Sequence, residues 1–271
     1  MKIFKNKKKL QKEILNINSV SFIPTMGGLH KGHISLIKKC QKFKGLSLIS
    51  LFVNPKQFNQ KNDFNSYPRN LAKDLKILKK LNVDIVYLPT YKDIFSFKTK
   101  NKIFLDKFSN KLCGRFRKGH FEGVVNVVNR FLEIINPKYI LLGIKDFQQL
   151  YLVNAHIKKN KINTVVVPCK TIREINGVAC STRNNNINKK QLLIASKVYR
   201  YLSNKKKLIK KNLKNFNPQL FKRELLNLGL SKIDYIKLYN FRNFKECKIK
   251  NKKFKIFIAY YLNKVRLIDN I

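Results

Sequence analysis

Apolar and polar positions along this chain switch repeatedly between two periods. Short apolar runs, several of them bounded by Pro or Gly, read as buried strands. They fall at 19–24 (SVSFIP), 46–53 (LSLISLFV), 83–88, 139–142 and 164–167. Between them, apolar residues recur at helical spacing. Ile34, Ile37 and Cys40 mark one helix over 34–43, and 71–81 reads as a second. A third covers 124–135 and stops at Asn136 and Pro137, and a fourth runs from Asp146 to Lys158. Strands alternating with helices predict an α/β fold, a Rossmann-like doubly wound parallel sheet covered on both faces. Ligands of such sheets sit beyond the carboxyl ends of the strands.

The pattern changes near Thr171. A Lys-rich amphipathic helix is expected over 189–211 and another over 221–228, with strands at 233–239 and 255–262 (KIFIAYYL) and a short tail, VRLIDNI. This predicts a smaller C-terminal α+β domain over 172–271, after a first domain over 1–171. Lys205, Lys206 and Lys207 are expected on a solvated face of the Lys-rich helix.

Composition narrows the classes. With 271 residues and 44% hydrophobic content, a sizeable core forms and disorder is excluded. No apolar run is long enough for a membrane span. The N-terminal MKIFKNKKKL lacks the apolar stretch of a signal peptide. Five cysteines, Cys40, Cys113, Cys169, Cys180 and Cys247, form no CxxC pair, which fits a reducing cytoplasm. The net charge is +45 and raises affinity for polyanions. Yet Lys and Arg are spread along the whole chain, and Lys, Asn, Ile and Phe share A/T-rich codons. Compositional bias therefore explains the charge, and no RNA-binding module is recognisable.

The first chemical motif follows the first predicted strand, as Pro24, Thr25, Met26, Gly27, Gly28, Leu29, His30, Lys31, Gly32 and His33. The glycines permit close backbone approach, and the helix that follows offers N–H groups and its positive dipole end to phosphate. His30 and His33 share a face of the first helical turn and are able to donate hydrogen bonds to phosphoryl oxygens. A Gly-rich turn capped by two histidines is the purely structural alternative.

This HxGH element resembles the signature of the nucleotidyltransferase superfamily that includes class I aminoacyl-tRNA synthetases. The longer string PTMGGLHKGHISLI is similar to the pantoate–β-alanine ligase family. Further similar strings follow in order: LFVNPKQF at 51–58, YPR at 67–69, KGHFEGV at 118–124, GIKDFQQL at 143–150, STRN at 181–184 and RLIDN at 266–270. The resemblance covers nearly the whole chain. It implies ligation of (R)-pantoate to β-alanine, with ATP converted to AMP and diphosphate through a pantoyl adenylate. It implies ATP contacts from Met26 through His33, at Gly143, Ile144, Lys145 and Asp146, at Ile172, and at Cys180, Ser181, Thr182 and Arg183. Within the first stretch these are Met26, Gly27, Gly28, Leu29, His30, Lys31, Gly32 and His33. Pantoate falls to Gln57 and Gln149, and β-alanine to Gln57.

His33 is the expected principal catalytic residue, with His30, Lys145 and Arg183 assisting. The stretch 180–183 corresponds to the mobile KMSKS-type loop of the superfamily, and the smaller domain is expected to act as a lid. Mg²⁺ is expected to arrive with ATP, with no metal cage built by the protein. A cytoplasmic homodimer with no membrane or specific nucleic-acid partner completes the expectation.

Three positions depart from the family pattern. Ile144 stands for the usual Glu, Cys180 for Leu and Thr182 for Ser. Asp146 also reads as a cap of the following helix, Gln57 as a structural amide, and His120 as a core or loop histidine. Asp63 and Asp74 read as surface acids with no assigned role. A different nucleotidyltransferase and a non-enzymatic basic nucleic-acid binder remain open on the residues alone.

Overall fold

Alternate side chains of the central strands enter two different cores. Phe22, Leu48, Ile85 and Ile140 lie in one, and their neighbours Ile23, Ile49, Val86 and Leu141 in the other. That alternation is what a parallel sheet covered on both faces requires. The computed structural model describes residues 1–59, 61–240 and 253–271, with 61 and 62 by backbone only. Cys247 lies outside the described residues. The chain forms two compact units, Met1–Thr171 and Ile172–Ile271.

The first unit begins with β1 (Lys2–Phe4) and α1 (Lys7–Ile14), neither of which the sequence pattern shows. There follow β2 (Val20–Thr25), α2 (Lys31–Cys40), β3 (Leu46–Leu51), α3 (Lys61–Asn65), α4 (Leu71–Lys80), β4 (Ile85–Tyr87), α5 (Tyr91–Phe95) and α6 (Leu112–Phe116). The unit closes with α7 (His120–Ile135), β5 (Tyr139–Gly143), α8 (Phe147–Lys159) and β6 (Val165–Cys169). The six strands are parallel, in the order β1-β4-β3-β2-β5-β6. One face carries α1, α7 and α8 through residues such as Leu10, Phe131 and Val153. The other carries α2 and α4 through Ile37 and Leu78.

Local signals explain the element ends. Gly119 at φ 74° precedes α7, and Asn136 at φ 47° closes it, its N–H donating to the Leu132 carbonyl at 2.8 Å before Pro137. Phe131 of α7 sits among Phe22, Tyr87 and Phe52, at ring-centroid distances of 5.4, 6.1 and 6.3 Å. The buried-strand reading of 164–167 is corrected. β6 is an edge strand, and Val165 is 56% exposed. A valine run has the same composition in a central or an edge strand, so only the strand order decides its burial.

The second unit holds α9 (Lys189–Lys211), α10 (Pro218–Asn227) and the antiparallel strands β7 (Lys232–Asn240), β8 (Phe254–Leu262) and β9 (Val265–Asn270). The tail VRLIDN is thus a strand, paired with β8 from Val265–Leu262 to Asn270–Phe257. Leu202 and Ile209 of α9, Phe221 and Leu225 of α10, and Ile256 and Ile258 of β8 build its core. Arg173 makes a two-pronged contact to Asp269 at 2.6 and 2.9 Å, tying the start of this unit to its last strand. The solvated-face reading of Lys205–Lys207 fits Lys207, which is exposed, but is corrected for the other two, and Lys206 is half-buried. Lys205 is half-buried, pairs with Glu224 at 3.0 Å and lies 5.1 Å from the ring centres of both Tyr201 and Phe221.

Candidate active site

The strand order determines where a ligand of the first unit sits. From β2 the chain moves to β3 and then β4 on one side, and β5 returns to the other side of β2. The order therefore switches between β2 and β5, and the crevice beyond their carboxyl ends is the binding position for this architecture. The turn 26–30 leaves β2 there, and the segment 143–146 leaves β5.

The turn is built around its histidines. His30 is the N-cap of α2, and its Nδ1 accepts from the Gly32 N–H at 3.0 Å. His33 reaches back, and its Nδ1 accepts from the His30 N–H at 3.3 Å. A ring nitrogen that accepts carries no proton, so each neutral imidazole holds its proton on Nε2. The two rings lie 4.1 Å apart. His33 is half-buried, and its pKa is lowered to about 3 by burial, then by His30 and by Lys145. It is therefore neutral at physiological pH.

The expectation that this turn offers open N–H groups to phosphate is corrected in part. Besides Gly32 and His30, the Gly28 N–H donates to Asp74 Oδ2 and the Leu29 N–H to Asp74 Oδ1, each at 2.8 Å. Asp74 is only 3% exposed, so its reading as a surface acid is corrected too. A helical period of three to four residues places it on the inner side of α4 beside Leu78, but no local pattern reveals its partner.

Beyond β3, Asn54, Pro55, Lys56 and Gln57 form a short helical turn capped by Asn54. Asn54 also donates from Nδ2 to the Gly123 carbonyl at 3.1 Å. Gln57 is buried, and its side-chain amide donates to the Met26 sulfur, which brings the NPKQF loop against the turn after β2. Arg117 Nη1 meets His120 Nε2 at 3.1 Å, and His120 Nδ1 meets the Gln57 carbonyl at 2.7 Å. A guanidinium only donates, so Nε2 of His120 accepts and Nδ1–H donates. His120 is thus the half-buried first residue of α7, holding the Gln57 backbone.

After β5, Lys145 lies 3.5 Å from Asp146 Oδ1. Asp146 occupies the N-cap position of α8 but its side chain makes no capping hydrogen bond, which corrects that reading. Lys145 contributes to lowering the His33 pKa, after burial and His30. On α8, Gln148 is buried and spends its amide on Cys113, Phe108 and Lys111, whereas Gln149 is half-buried.

The remaining expected residues lie in the second unit. The Ile172 carbonyl accepts from the Cys180 N–H at 2.9 Å. Cys180 is buried, with its thiol 3.2 Å from Glu174 Oε1. Ser181 Oγ caps a short helical turn by accepting from the Arg183 N–H, Thr182 is buried and Arg183 is half-buried. Among the described residues, no group of three or more His, Cys, Asp or Glu side chains is arranged to hold a metal ion. No described helix is long and apolar enough to cross a membrane.

The family profile described as Pantoate-beta-alanine ligase matches residues 2–271. The chain belongs to that family. The pantothenate synthetase of Flavobacterium psychrophilum is 39% identical over 257 residues, covering 93% of this chain and 91% of that protein. That of Francisella tularensis subsp. novicida is 36% identical over 96% of this chain and 92% of its own length. A crystal structure of the Francisella tularensis pantoate–β-alanine ligase, complexed with β-γ ATP and β-alanine, is similar at 35% identity. It has a TM-score of 0.83 and covers 100% of this chain and 97% of that one. A pantothenate synthetase structure from Thermus thermophilus gives a TM-score of 0.91 at 26% identity, covering 100% and 99%. Membership of the pantoate–β-alanine ligase family makes the chain a ligase with the α/β architecture described above.

Proposed function

We propose that this ligase condenses (R)-pantoate with β-alanine, with ATP as the activating substrate. The pantoate carboxylate attacks the α-phosphate, diphosphate leaves, and a pantoyl adenylate remains. The β-alanine amine then attacks the acyl carbon, AMP leaves, and the amine proton passes to solvent or to a nearby base. Most of the acceleration comes from positioning and from stabilising phosphoryl charge.

The observation that carries this reading is the pair of histidines fixed at the start of α2, at the strand-order switch where the segment bearing Lys145 also leaves β5. His33 is neutral and carries its proton on Nε2, so it acts as a hydrogen-bond donor to charge growing on the α-phosphate. His30 assists, Lys145 and Arg183 neutralise phosphate charge, and the stretches 26–33, 143–146, 172 and 180–183 contact ATP. Ile144 replaces a carboxylate and contributes its backbone. Gln57 and Gln149 hold pantoate, and Gln57 also borders β-alanine. Mg²⁺ enters on the ATP phosphates as part of the substrate.

The unit 1–171 binds ATP and pantoate, and 172–271 serves as the lid. The exposed apolar edge of β6 supports a homodimer. None of the four described cysteines forms a disulfide, in keeping with the cytoplasm. A coupled assay of diphosphate release, with ATP, pantoate and β-alanine omitted in turn, tests the reading. Release that ignores pantoate overturns it.

A further inference from the structure

Gly27 and Gly28 both have positive φ, at 78° and 63°. A turn of this kind brings successive N–H groups into one concavity, a nest that favours an anion. In this chain the anion is internal. Asp74, in the first turn of α4, sends one carboxylate oxygen to the Gly28 N–H and the other to the Leu29 N–H. The partners are 46 and 45 residues apart in sequence. Asn70 caps α4 by accepting from the Lys73 N–H at 2.9 Å, which anchors the helix turn that carries Asp74. The packing is close. A Cβ on Gly27 would lie 2.8 Å from Asp74 Oδ2, so a larger residue there collides with the carboxylate.

Residues 28 and 29 lead directly into His30, whose backbone N–H and side chain are both tied to the His33 cap. Whatever holds 28 and 29 therefore sets the position of both imidazoles. We propose that Asp74 is a positioning residue for adenylation. It is the resident anion of the nest, and it fixes the backbone ahead of the two histidines so that their Nε2–H groups meet the incoming phosphate. The N–H groups of Gly28 and Leu29 consequently do not bind ATP themselves. The inference rests on assigning this turn to the ATP phosphates.

The test compares full-length wild type with Asp74→Asn and Asp74→Ala in pantoate-dependent diphosphate release. Asn retains the shape but presents an NH₂ to a backbone donor. A misplacement of about 1 Å costs on the order of 10²-fold in rate. Asp74→Ala is expected to lose roughly that much kcat, and Asp74→Asn about 10-fold, with pantoate KM within about 2-fold of wild type. Formate is expected to refill the nest of Asp74→Ala and restore part of kcat, while leaving wild type and Asp74→Asn unchanged. If Asp74→Ala fails to fold, Asp74→Asn carries the test. A folded Asp74→Asn enzyme with wild-type kcat overturns the proposal, as does a loss confined to pantoate KM or unfolding temperature. Absence of pantoate-dependent release in wild type instead overturns the functional reading.

Discussion

Replacing His33 separates its structural task from its chemical one. Its Nδ1 accepts the His30 N–H at 3.3 Å, a long bond that supplements the cap His30 itself provides. Losing one capping contact costs about 0.5–1 kcal/mol, which for a unit of this size lowers Tm by roughly 2–4 °C at most. Losing a donor to a developing oxyanion costs about 10²–10³ in rate, or ~2.7–4 kcal/mol. The catalytic effect therefore exceeds the structural one. His33→Ala is expected to lose diphosphate release by that factor while remaining folded. His33→Asn keeps an acceptor near the Nδ1 position but lacks the Nε2–H, so Tm recovers and the rate does not.

The pH dependence adds a second check. Burial, His30 and Lys145 hold the His33 pKa at about 3. Protonation of His33 therefore produces no acid limb near 6.5 in the rate of adenylate formation. The unfolded chain takes up this proton below about 6.5 and the folded chain only near 3, so stability falls as pH drops through that window. His156, lowered to about 4 by burial, adds in the same direction. Quench-flow rates and urea unfolding between pH 4 and 8 read both effects. Wild-type diphosphate release by a folded His33→Asn enzyme removes His33 from the chemistry.

Ala at Gln57 or Gln149 is expected to weaken pantoate binding by roughly 1–3 kcal/mol per lost group, with ATP binding nearly intact. Calorimetry showing the opposite pattern contradicts the placement. Gly123→Ala puts a Cβ 2.2 Å from the Lys56 carbonyl and 2.9 Å from Gln57 Cα, so the NPKQF loop must shift. Pantoate KM is expected to rise about 10-fold or more, and an unchanged value refutes the coupling of α7 to that loop. Replacing Lys205, Lys206 and Lys207 together with Gln leaves turnover near wild type and costs about 1 kcal/mol or less through the Glu224 pair. RNA affinity of that variant falls with a shallower salt slope. Lys145→Gln abolishes most turnover, and equal losses in both variants refute the compositional account of the charge.

Much of the fold was legible because its signals are local. Runs such as LSLISLFV and the helical spacing of 71–81 arise from neighbours in sequence, and Asn136 with Pro137 stops α7 where the pattern ends. The HxGH turn was legible for the same reason, since its glycines, its cap and its histidines lie within one short string. β1, β9 and the exposure of β6 were not, because their status depends on which strand lies alongside.

Tertiary structure alone decided the electrostatics of the site. Asp74 reads as an ordinary acid of an amphipathic helix until α4 is folded against the turn 45 residues before it. Asp146 reads as a helix cap, but at the N-cap position of α8 its side chain makes no capping bond and lies 3.5 Å from Lys145 instead. The depth to which the His33 pKa is lowered comes from burial first, then from His30 and Lys145, and the tautomer of His120 needs the guanidinium of Arg117. Residue type and short-range period are written in the chain. Which charges meet at a few ångströms, and in how little water, depends on long-range closure that no local window contains.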